Sequence, residues 1–198
     1  MRAIKIDVKK FFRSVPRVKV FHFFLDRLKC RRDVAGLLAD LLTFENHLPT
    51  GGSASPIIAF YAFKPMFDAI AALAEERGLV MTCYVDDMTL SGDGANGSAL
   101  FAIRQIISSF GLKSHKARLF LPNEPRVITG VCLTAEGKKV PNKLHLKMKN
   151  GFEDLAVAID PYEKEKKRRS LLGQLEAAGQ IDPVFKARAA TLRASARK

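Results

Sequence analysis

The chain has 198 residues, 47% of them hydrophobic, so it is long and apolar enough to bury a core and is not a disordered polypeptide. Its 33 basic and 20 acidic side chains give a formal charge of +13, which favours a polyanionic partner, nucleic acid first and an anionic membrane second. Three distant cysteines support neither a disulfide framework nor a zinc site, and the sequence has no signal peptide or membrane-spanning run, so we predict a soluble, cytoplasmic protein.

The first third of the sequence is predicted to begin with a strand and continue with helices. Residues 3–8 alternate between apolar and polar side chains, which is typical of a strand. Helices are predicted over residues 16–30 and 34–44, followed by a loop rich in Gly, Ser and Pro over residues 47–55. One long helix is predicted from the proline at position 56 to about residue 77.

The middle of the sequence carries a predicted hairpin with two acids at its tip. Short apolar runs at residues 79–84 and 88–90 are typical of strands, and they flank the adjacent acids Asp86 and Asp87. Residues 98–110 have apolar side chains at helical spacing, so a helix is predicted there.

The last third is predicted to change from strands to helices. Strand patterns cover residues 118–121, 126–133 and 138–140, and from there to the end the pattern is helical and basic. Gly151 and Pro161 are predicted to break this helical region. The sequence therefore predicts an α+β fold, in which a sheet backed by helices precedes a helical subdomain.

Asp86 and Asp87 are the most informative pair of residues. Adjacent carboxylates repel each other, so a turn that holds both normally needs a cation. The competing interpretation is an ordinary aspartate-rich turn, which hairpins favour. The pair alone does not decide between these two interpretations.

Asp7 shifts this balance, because it lies at the end of the first predicted strand in an otherwise basic segment. Acids at the ends of strands of one sheet can converge although they are far apart in sequence. Asp7 and Asp86 could then hold two Mg²⁺ ions about 3.5–4 Å apart, which activate an attacking hydroxyl and stabilise a leaving oxygen in phosphoryl transfer. A basic chain with such acids matches a polymerase or a nuclease better than a simple binding protein.

Several segments, in this order, resemble the motifs of one enzyme family, the reverse transcriptases. They are residues 6–12 (IDVKKFF, the first acidic motif), 48–56 (LPTGGSASP, the LPQGxxxSP motif), 84–87 (YVDD, the YxDD box), 116–118 (KAR, the lysine motif), 129–131 (TGV, the start of the primer-grip hairpin), and Gly173 with 181–183 (IDP, the thumb). A lone YxDD is weak evidence, whereas the ordered set is specific and spans nearly the whole chain. The sequence is most similar to bacterial retron-type and group II intron-like members.

The resemblance implies a right-hand polymerase fold. Residues 1–140 would form the palm, an antiparallel sheet backed by helices, and residues 141–198 the helical thumb. The implied activity is RNA-directed DNA synthesis from deoxynucleoside triphosphates on an RNA template, with a DNA or RNA primer. The cofactor would be two Mg²⁺ ions, which Mn²⁺ can replace.

Catalytic roles follow from the same resemblance. Asp7 and Asp86 would be the main metal ligands, with Asp87 as the third catalytic acid and the backbone carbonyl of Val8 completing the coordination. Lys116 would protonate the leaving pyrophosphate or stabilise its charge. The alternative for Lys116 is that it is one surface lysine among many.

Substrate contacts are also implied by the resemblance. Phe12 matches the bulky residue that blocks a ribose 2′-hydroxyl, and the neighbouring Phe11 is either part of this nucleotide site or a core residue. Ser55 and Pro56 also match an ordinary helix start, with the serine as N-cap and the proline at the first helical position. The expected contact residues are Phe11, Phe12, Thr50, Gly51 and Tyr84 for the nucleotide and primer end, and Gly52, Ser55, Pro56, Lys143, Lys147 and Lys149 for nucleic acid.

Two features depart from the family pattern. Thr50 stands where the family usually has a glutamine that contacts the incoming nucleotide. The chain begins almost at Asp7, so the basic fingers region that precedes this motif in the family is expected either in an upstream segment or in a partner chain.

Three functions therefore compete. The first is a reverse transcriptase in a retron or an antiviral (phage) defence system. The second is a non-enzymatic remnant that binds RNA, and the third is a DNA polymerase that needs no template. The intact acids favour an enzyme, and the absent fingers favour the remnant.

Overall fold

The computed structural model describes residues 1–195 and divides into two compact units, Met1–Pro122 and Asn123–Lys198. The division precedes a second small sheet, whereas the domain boundary predicted from the sequence lies at residue 140. The assignment of palm and thumb to these segments stays a prediction. The fold class is α+β, as predicted, because each unit combines an antiparallel sheet with helices.

The N-terminal unit is built on a four-stranded antiparallel sheet in the order β2–β3–β1–β4. The predicted first strand and the predicted acidic hairpin are both confirmed. The strands are β1 (Ala3–Val8), β2 (Val80–Tyr84), β3 (Asp87–Ser91) and β4 (Ser114–Phe120).

Five α-helices accompany this sheet in the described part of the unit. They are α1 (Arg17–His22), which continues into a π-helical turn over Phe23–Arg27, α2 (Arg32–Leu42), α3 (Ser55–Ala62), α4 (Lys64–Glu76) and α5 (Gly97–Ser109). Strand alternation turns Ile4, Ile6 and Val8 into a core shared with helix residues such as Ile70 and Ile103. Burying each such side chain contributes about 1.5–3 kcal/mol.

The long helix predicted from position 56 to 77 is wrong, because the segment forms two helices, α3 and α4, bent by 68°. Pro65 lacks an N–H, and in a continuous helix its ring would collide with the carbonyl four residues earlier. The break at Phe63 turns this ring into the core, where its centroid lies 5.8 Å from that of Phe11. Among residues 1–195, no single helix has the length and apolarity of a membrane span; only the bent pair α3 and α4, taken together, reaches them.

The C-terminal unit carries a three-stranded antiparallel sheet in the order β5–β6–β7, followed by three helices. Its own core contains Leu171, Leu175 and Phe185. The elements are β5 (Arg126–Ile128), β6 (Val131–Thr134), β7 (Gly137–Lys139), α6 (Asn142–Val157), α7 (Pro161–Gly179) and α8 (Pro183–Ala194).

Two predictions for this unit need correction. The single strand predicted over residues 126–133 is a hairpin, because Thr129 and Gly130 both adopt a positive φ and reverse the chain. Gly151 does not break a helix but lies inside α6, where an added Cβ would be 3.1 Å from Leu171 Cδ1. Pro161 does begin a helix, and the Asp160 side chain accepts a hydrogen bond from the Glu163 N–H to cap it.

Candidate active site

The three predicted acids lie at one end of the four-stranded sheet. Antiparallel pairing of β1 with β3 sets Asp7 directly opposite Asp87. Asp86 lies in the two-residue turn that joins β2 to β3, next to Asp87. The sequence folds this way because the β2–β3 hairpin closes on Val85 and Asp86, while the alternation of β1 turns Asp7 away from the core.

The turn is strained at Val85. This residue has a φ of +60°, a conformation that is unfavourable for a β-branched side chain. Such strain persists only where the surrounding structure fixes the backbone, and it is concentrated at functional sites. The two paired strands impose the turn and with it the position of Asp86.

The acids interact electrostatically. The pKa of Asp86 is raised above its ordinary value of 3.8, first by burial and then by the negative charge of Asp7. Asp87 adds to this effect, whereas a hydrogen bond from backbone and the positive charge of Lys116 oppose it. The negative charges of these acids therefore favour a positive charge close to them.

Two lysines supply part of this positive charge. Lys5 Nζ lies 2.9 Å from Asp87 Oδ2, and Lys116 Nζ lies 4.0 Å from Asp7 Oδ2. Lys116 was predicted from the sequence as a site residue, but Lys5 was missed. Strand alternation was the available signal, because it puts Lys5 on the same face of β1 as Asp7.

The carboxylates fit Mg²⁺ in chemistry, since this ion is held by one or two carboxylates together with substrate phosphates. Asp87 Oδ1 is buried without a hydrogen-bond partner among the described residues, so a cation would satisfy it. Within residues 1–195, no three acidic, histidine or cysteine side chains form a ready-made metal cage. Asp7 and Asp86 would be the main ligands of the ion, together with Asp87. The side chain of Val8 is buried in the core, which leaves only its backbone carbonyl for this purpose.

Phe11 and Phe12 have different environments. Phe11 is only 2% exposed and packs against Phe63 and Phe67, so its side chain belongs to the core. Phe12 is half-buried and is the one of the two that keeps an accessible surface. The proposed contact with the nucleotide sugar therefore rests on Phe12.

The loop before α3 is shaped by its glycines and by Ser55. Thr50 is exposed, and Gly51 adopts a φ of +91°, which favours glycine. A Cβ on Gly52 would lie 2.6 Å from Ser55 Oγ. Ser55 is buried and donates a hydrogen bond to the Pro49 carbonyl, so the expectation that it caps the helix is wrong: Ala54 is the N-cap.

A shallow apolar groove borders the acidic turn. Tyr84, the predicted primer contact, is 68% exposed on the edge strand β2. The Cys83 thiol donates a hydrogen bond to the Val85 carbonyl over 3.4 Å, and burial followed by the charges of Asp86 and Asp87 raises its pKa to about 11. The groove is lined by Pro56, Ile57, Phe60, Tyr61, Cys83 and Val85.

The three predicted thumb lysines all lie on α6 of the C-terminal unit but do not share one face. Lys143 and Lys147 are one turn apart and line a mostly apolar groove together with residues of β5 and β6, including Val127. Lys149 is directed elsewhere, and its Nζ lies 3.8 Å from Glu153 Oε1. The structure therefore brings two of the three lysines together.

Curated proteins similar in sequence to this chain are retron reverse transcriptases, although no family model matches it. Retron Ec86 reverse transcriptase of Escherichia coli is 32% identical over 137 residues, which are 67% of this chain and 42% of the relative. Retron Ec48 reverse transcriptase of Escherichia coli is 24% identical over 145 residues, 70% of this chain and 36% of the relative. The chain thus spans less than half the length of these relatives.

Solved structures with a similar fold are also reverse transcriptases. The foamy viral protease-reverse transcriptase dRH in complex with ds DNA superimposes with a TM-score of 0.57 and 18% identity, over 98% of this chain and 30% of that one. The foamy viral protease-reverse transcriptase in complex with RNA/DNA hybrid gives a TM-score of 0.55 and 17% identity, over 96% and 24%. At this identity the likeness concerns the fold alone.

Proposed function

Because the chain belongs to the retron-type reverse transcriptase family, we propose that it is the catalytic part of an RNA-directed DNA polymerase. The observation that carries this proposal is the meeting of Asp7, Asp86 and Asp87 at one end of the sheet in a chain of formal charge +13. An acidic site on a basic protein suits a reaction that uses cations to bring two anionic substrates together.

In this proposal the chain extends a DNA or RNA primer on an RNA template. The primer 3′-hydroxyl loses its proton to solvent and attacks the α-phosphorus of a deoxynucleoside triphosphate, so that a new P–O bond forms and the bond to pyrophosphate breaks. When bound, Mg²⁺ supplies charge neutralisation for the triphosphate and activation of the primer hydroxyl.

The chain's own residues have distinct tasks in the proposed reaction. Asp7 and Asp86 would hold the cations together with the Val8 carbonyl, and Asp87 would be the third acid. Lys116 gives a proton or a positive charge to the departing pyrophosphate. Phe12 excludes the 2′-hydroxyl of a ribonucleotide, and Tyr84 meets the primer end.

Duplex binding is assigned to both units. Thr50 and Gly51 would face the incoming nucleotide, and Gly52 and Pro56 the template. In the C-terminal unit, Lys143 and Lys147 would contact phosphates across the groove they line. The RNA/DNA hybrid bound by the foamy viral enzyme is the type of duplex we propose for this chain.

A retron role is part of the same proposal and is supported by the retron relatives. An antiviral defence role, a cytoplasmic location, and fingers supplied by an upstream segment or a partner chain remain predictions from the sequence.

RNA binding without catalysis is the second candidate. The specific observation in its favour is that the lysine-lined groove on α6 does not depend on the acids. This candidate predicts binding of structured RNA that persists when the acids are removed.

Primer extension on an RNA template with Mg²⁺ and deoxynucleotides tests the proposal. We expect extension that is lost in the Asp86→Ala, Asp87→Ala variant and kept in Asp68→Ala, which removes an acid from the surface of α4. Extension without template would support a template-independent polymerase instead. RNA binding without any extension, even when a fingers segment is added to the chain, would support the second candidate.

A further inference from the structure

Lys5 is a charged residue in a buried, central strand. Its neighbours Ile4 and Ile6 are fully buried in the core, and β1 is paired on both edges, with β3 and with β4. Lysine is almost never accepted in such surroundings unless it is paired, because removing its charge from water is costly. We therefore expect Lys5 to have a partner of opposite charge.

The partner of Lys5 is the third acid of the site. Lys5 Nζ lies 2.9 Å from Asp87 Oδ2, and both side chains are about three-quarters buried, with 23% and 24% exposed. The register of β1 and β3 sets Lys5 opposite Thr89, two residues from Asp87, so the pair is a diagonal contact on one face of the sheet. The strand pairing itself fixes this contact.

The two carboxylate oxygens of Asp87 therefore have different surroundings. Oδ2 is held by Lys5, whereas Oδ1 is buried without a hydrogen-bond partner among the described residues. Asp87 also faces Asp7 directly across the two strands, and like charges in that position repel each other. One positive charge at Lys5 thus both orients Asp87 and reduces this repulsion.

We infer that Lys5 is a positioning residue of the acidic site, which fixes the Asp87 carboxylate by one oxygen and keeps the site folded before a cation arrives. The part of this inference that concerns cations rests on the proposed function. The Lys5 charge opposes cation binding, so the lysine sets the site's geometry at the expense of metal affinity.

The first test is Mn²⁺ binding, measured by electron paramagnetic resonance on the full chain without nucleic acid. Lys5→Met is expected to bind Mn²⁺ about three- to tenfold more tightly than wild type, because a positive charge near the ion is removed. Lys5→Arg keeps the charge and should bind as wild type does. The matched control is Lys64→Met, which removes a lysine paired with Asp68 on α4. An unchanged or weaker affinity in Lys5→Met, or an equal change in Lys64→Met, overturns the inference.

The second test is a double-mutant cycle of thermal unfolding without metal. Lys5→Met should lower Tm by several degrees in the wild-type background, because Asp87 is left buried and unpaired. In an Asp87→Asn background the same substitution should cost much less. Equal Tm shifts in both backgrounds would mean that Lys5 does not act through Asp87.

Primer extension then separates positioning from simple binding. Lys5→Met is expected to lower kcat about tenfold with little change in KM for the nucleotide, and Lys5→Arg to recover most of it. If wild type neither binds Mn²⁺ nor extends a primer, the proposed function fails. The unfolding cycle, which needs no metal, still decides whether Lys5 positions Asp87.

Discussion

Lys116 lies within 4.0 Å of Asp7 at an irregularity of β4, where one residue of β1 is matched by two of β4. Lys5 pairs with Arg118 and Asp7 pairs with His115, so Lys116 is one of the two residues of β4 between these pairs. Lys116 adopts a φ of +48°. Such bulges redirect side chains next to active sites. The exposed ammonium group of Lys116 is thereby directed toward the acids while its strand stays paired.

Replacement of Lys116 tests its role as a proton donor. Lys116→Gln is expected to slow single-nucleotide addition about 100-fold, because general acid catalysis is lost, and Lys116→Arg should be intermediate. The measurement is the single-turnover rate of nucleotide addition. A rate within twofold of wild type would make Lys116 an ordinary surface lysine.

The raised pKa of Asp86 predicts how stability depends on pH. The folded chain holds this proton more tightly than the unfolded chain does, so folding is favoured at low pH and stability falls as the pH rises from below 3.8 through the raised pKa. Asp86→Asn removes this loss. We therefore expect the variant, without metal, to gain stability relative to wild type as the pH rises toward neutrality. Denaturation midpoints across the acidic range check this, and a difference that is constant with pH contradicts it.

Cys83 can report on cation binding. Its pKa of about 11 keeps the thiol protonated and slow to alkylate near pH 8. A cation at the acids offsets the charges of Asp86 and Asp87 and lowers this pKa. We expect Mg²⁺ to accelerate iodoacetamide labelling of Cys83 about threefold or more, measured by mass spectrometry.

The other two cysteines are internal standards for this experiment. Cys30 and Cys132 are free thiols for which no Mg²⁺ response is expected. The Asp86→Ala, Asp87→Ala variant should label faster at Cys83 without Mg²⁺ and should no longer respond to it. If Mg²⁺ does not change the labelling rate of Cys83 in wild type, this would argue against cation binding at this turn.

The lysines of α6 predict the salt dependence of nucleic acid binding. Each phosphate contact adds about 0.7–0.9 to the slope of log affinity against log salt. The Lys143→Gln, Lys147→Gln variant should therefore lose about 1.5 from that slope on an RNA/DNA duplex. Lys149→Gln is the control, because this lysine is directed toward Glu153 instead of the groove. If each of the three lysines lowers this slope by the same amount, the effect comes from overall charge and not from contacts in the groove.

Two glycines predict opposite effects of the same substitution. At Gly94 an added Cβ would lie 2.3 Å from the Arg77 carbonyl oxygen, so Gly94→Ala should destabilise the chain by about 1–3 kcal/mol. At Gly36, inside α2, nothing lies within 4 Å of an added Cβ, so Gly36→Ala should stabilise it by about 0.5–1 kcal/mol. Urea denaturation of both variants measures this difference, and a shift of the same sign in both would contradict it.

Local patterns were sufficient for much of the first unit. Alternation over residues 3–8, helical spacing over 98–110 and the two runs around Asp86 each correspond to an element of the structure. These segments carry their information within a few residues, because a side chain's face is set by the period of its own strand or helix. The motif order also identified the family, whereas the roles of the site residues remain proposals.

Contacts between residues that are far apart in sequence were decided by the tertiary structure. Pro65 prevents a continuous helix, and at the resulting break the Phe63 ring packs on Phe11, whereas Gly151 lies inside α6 beside Leu171. The sequence offered the aspartates, but only the register of β1 with β3 and β4 determined that Lys5 meets Asp87 and that Lys116 approaches Asp7. The physical reason is that strand register is set by the burial of whole faces, which no single segment encodes.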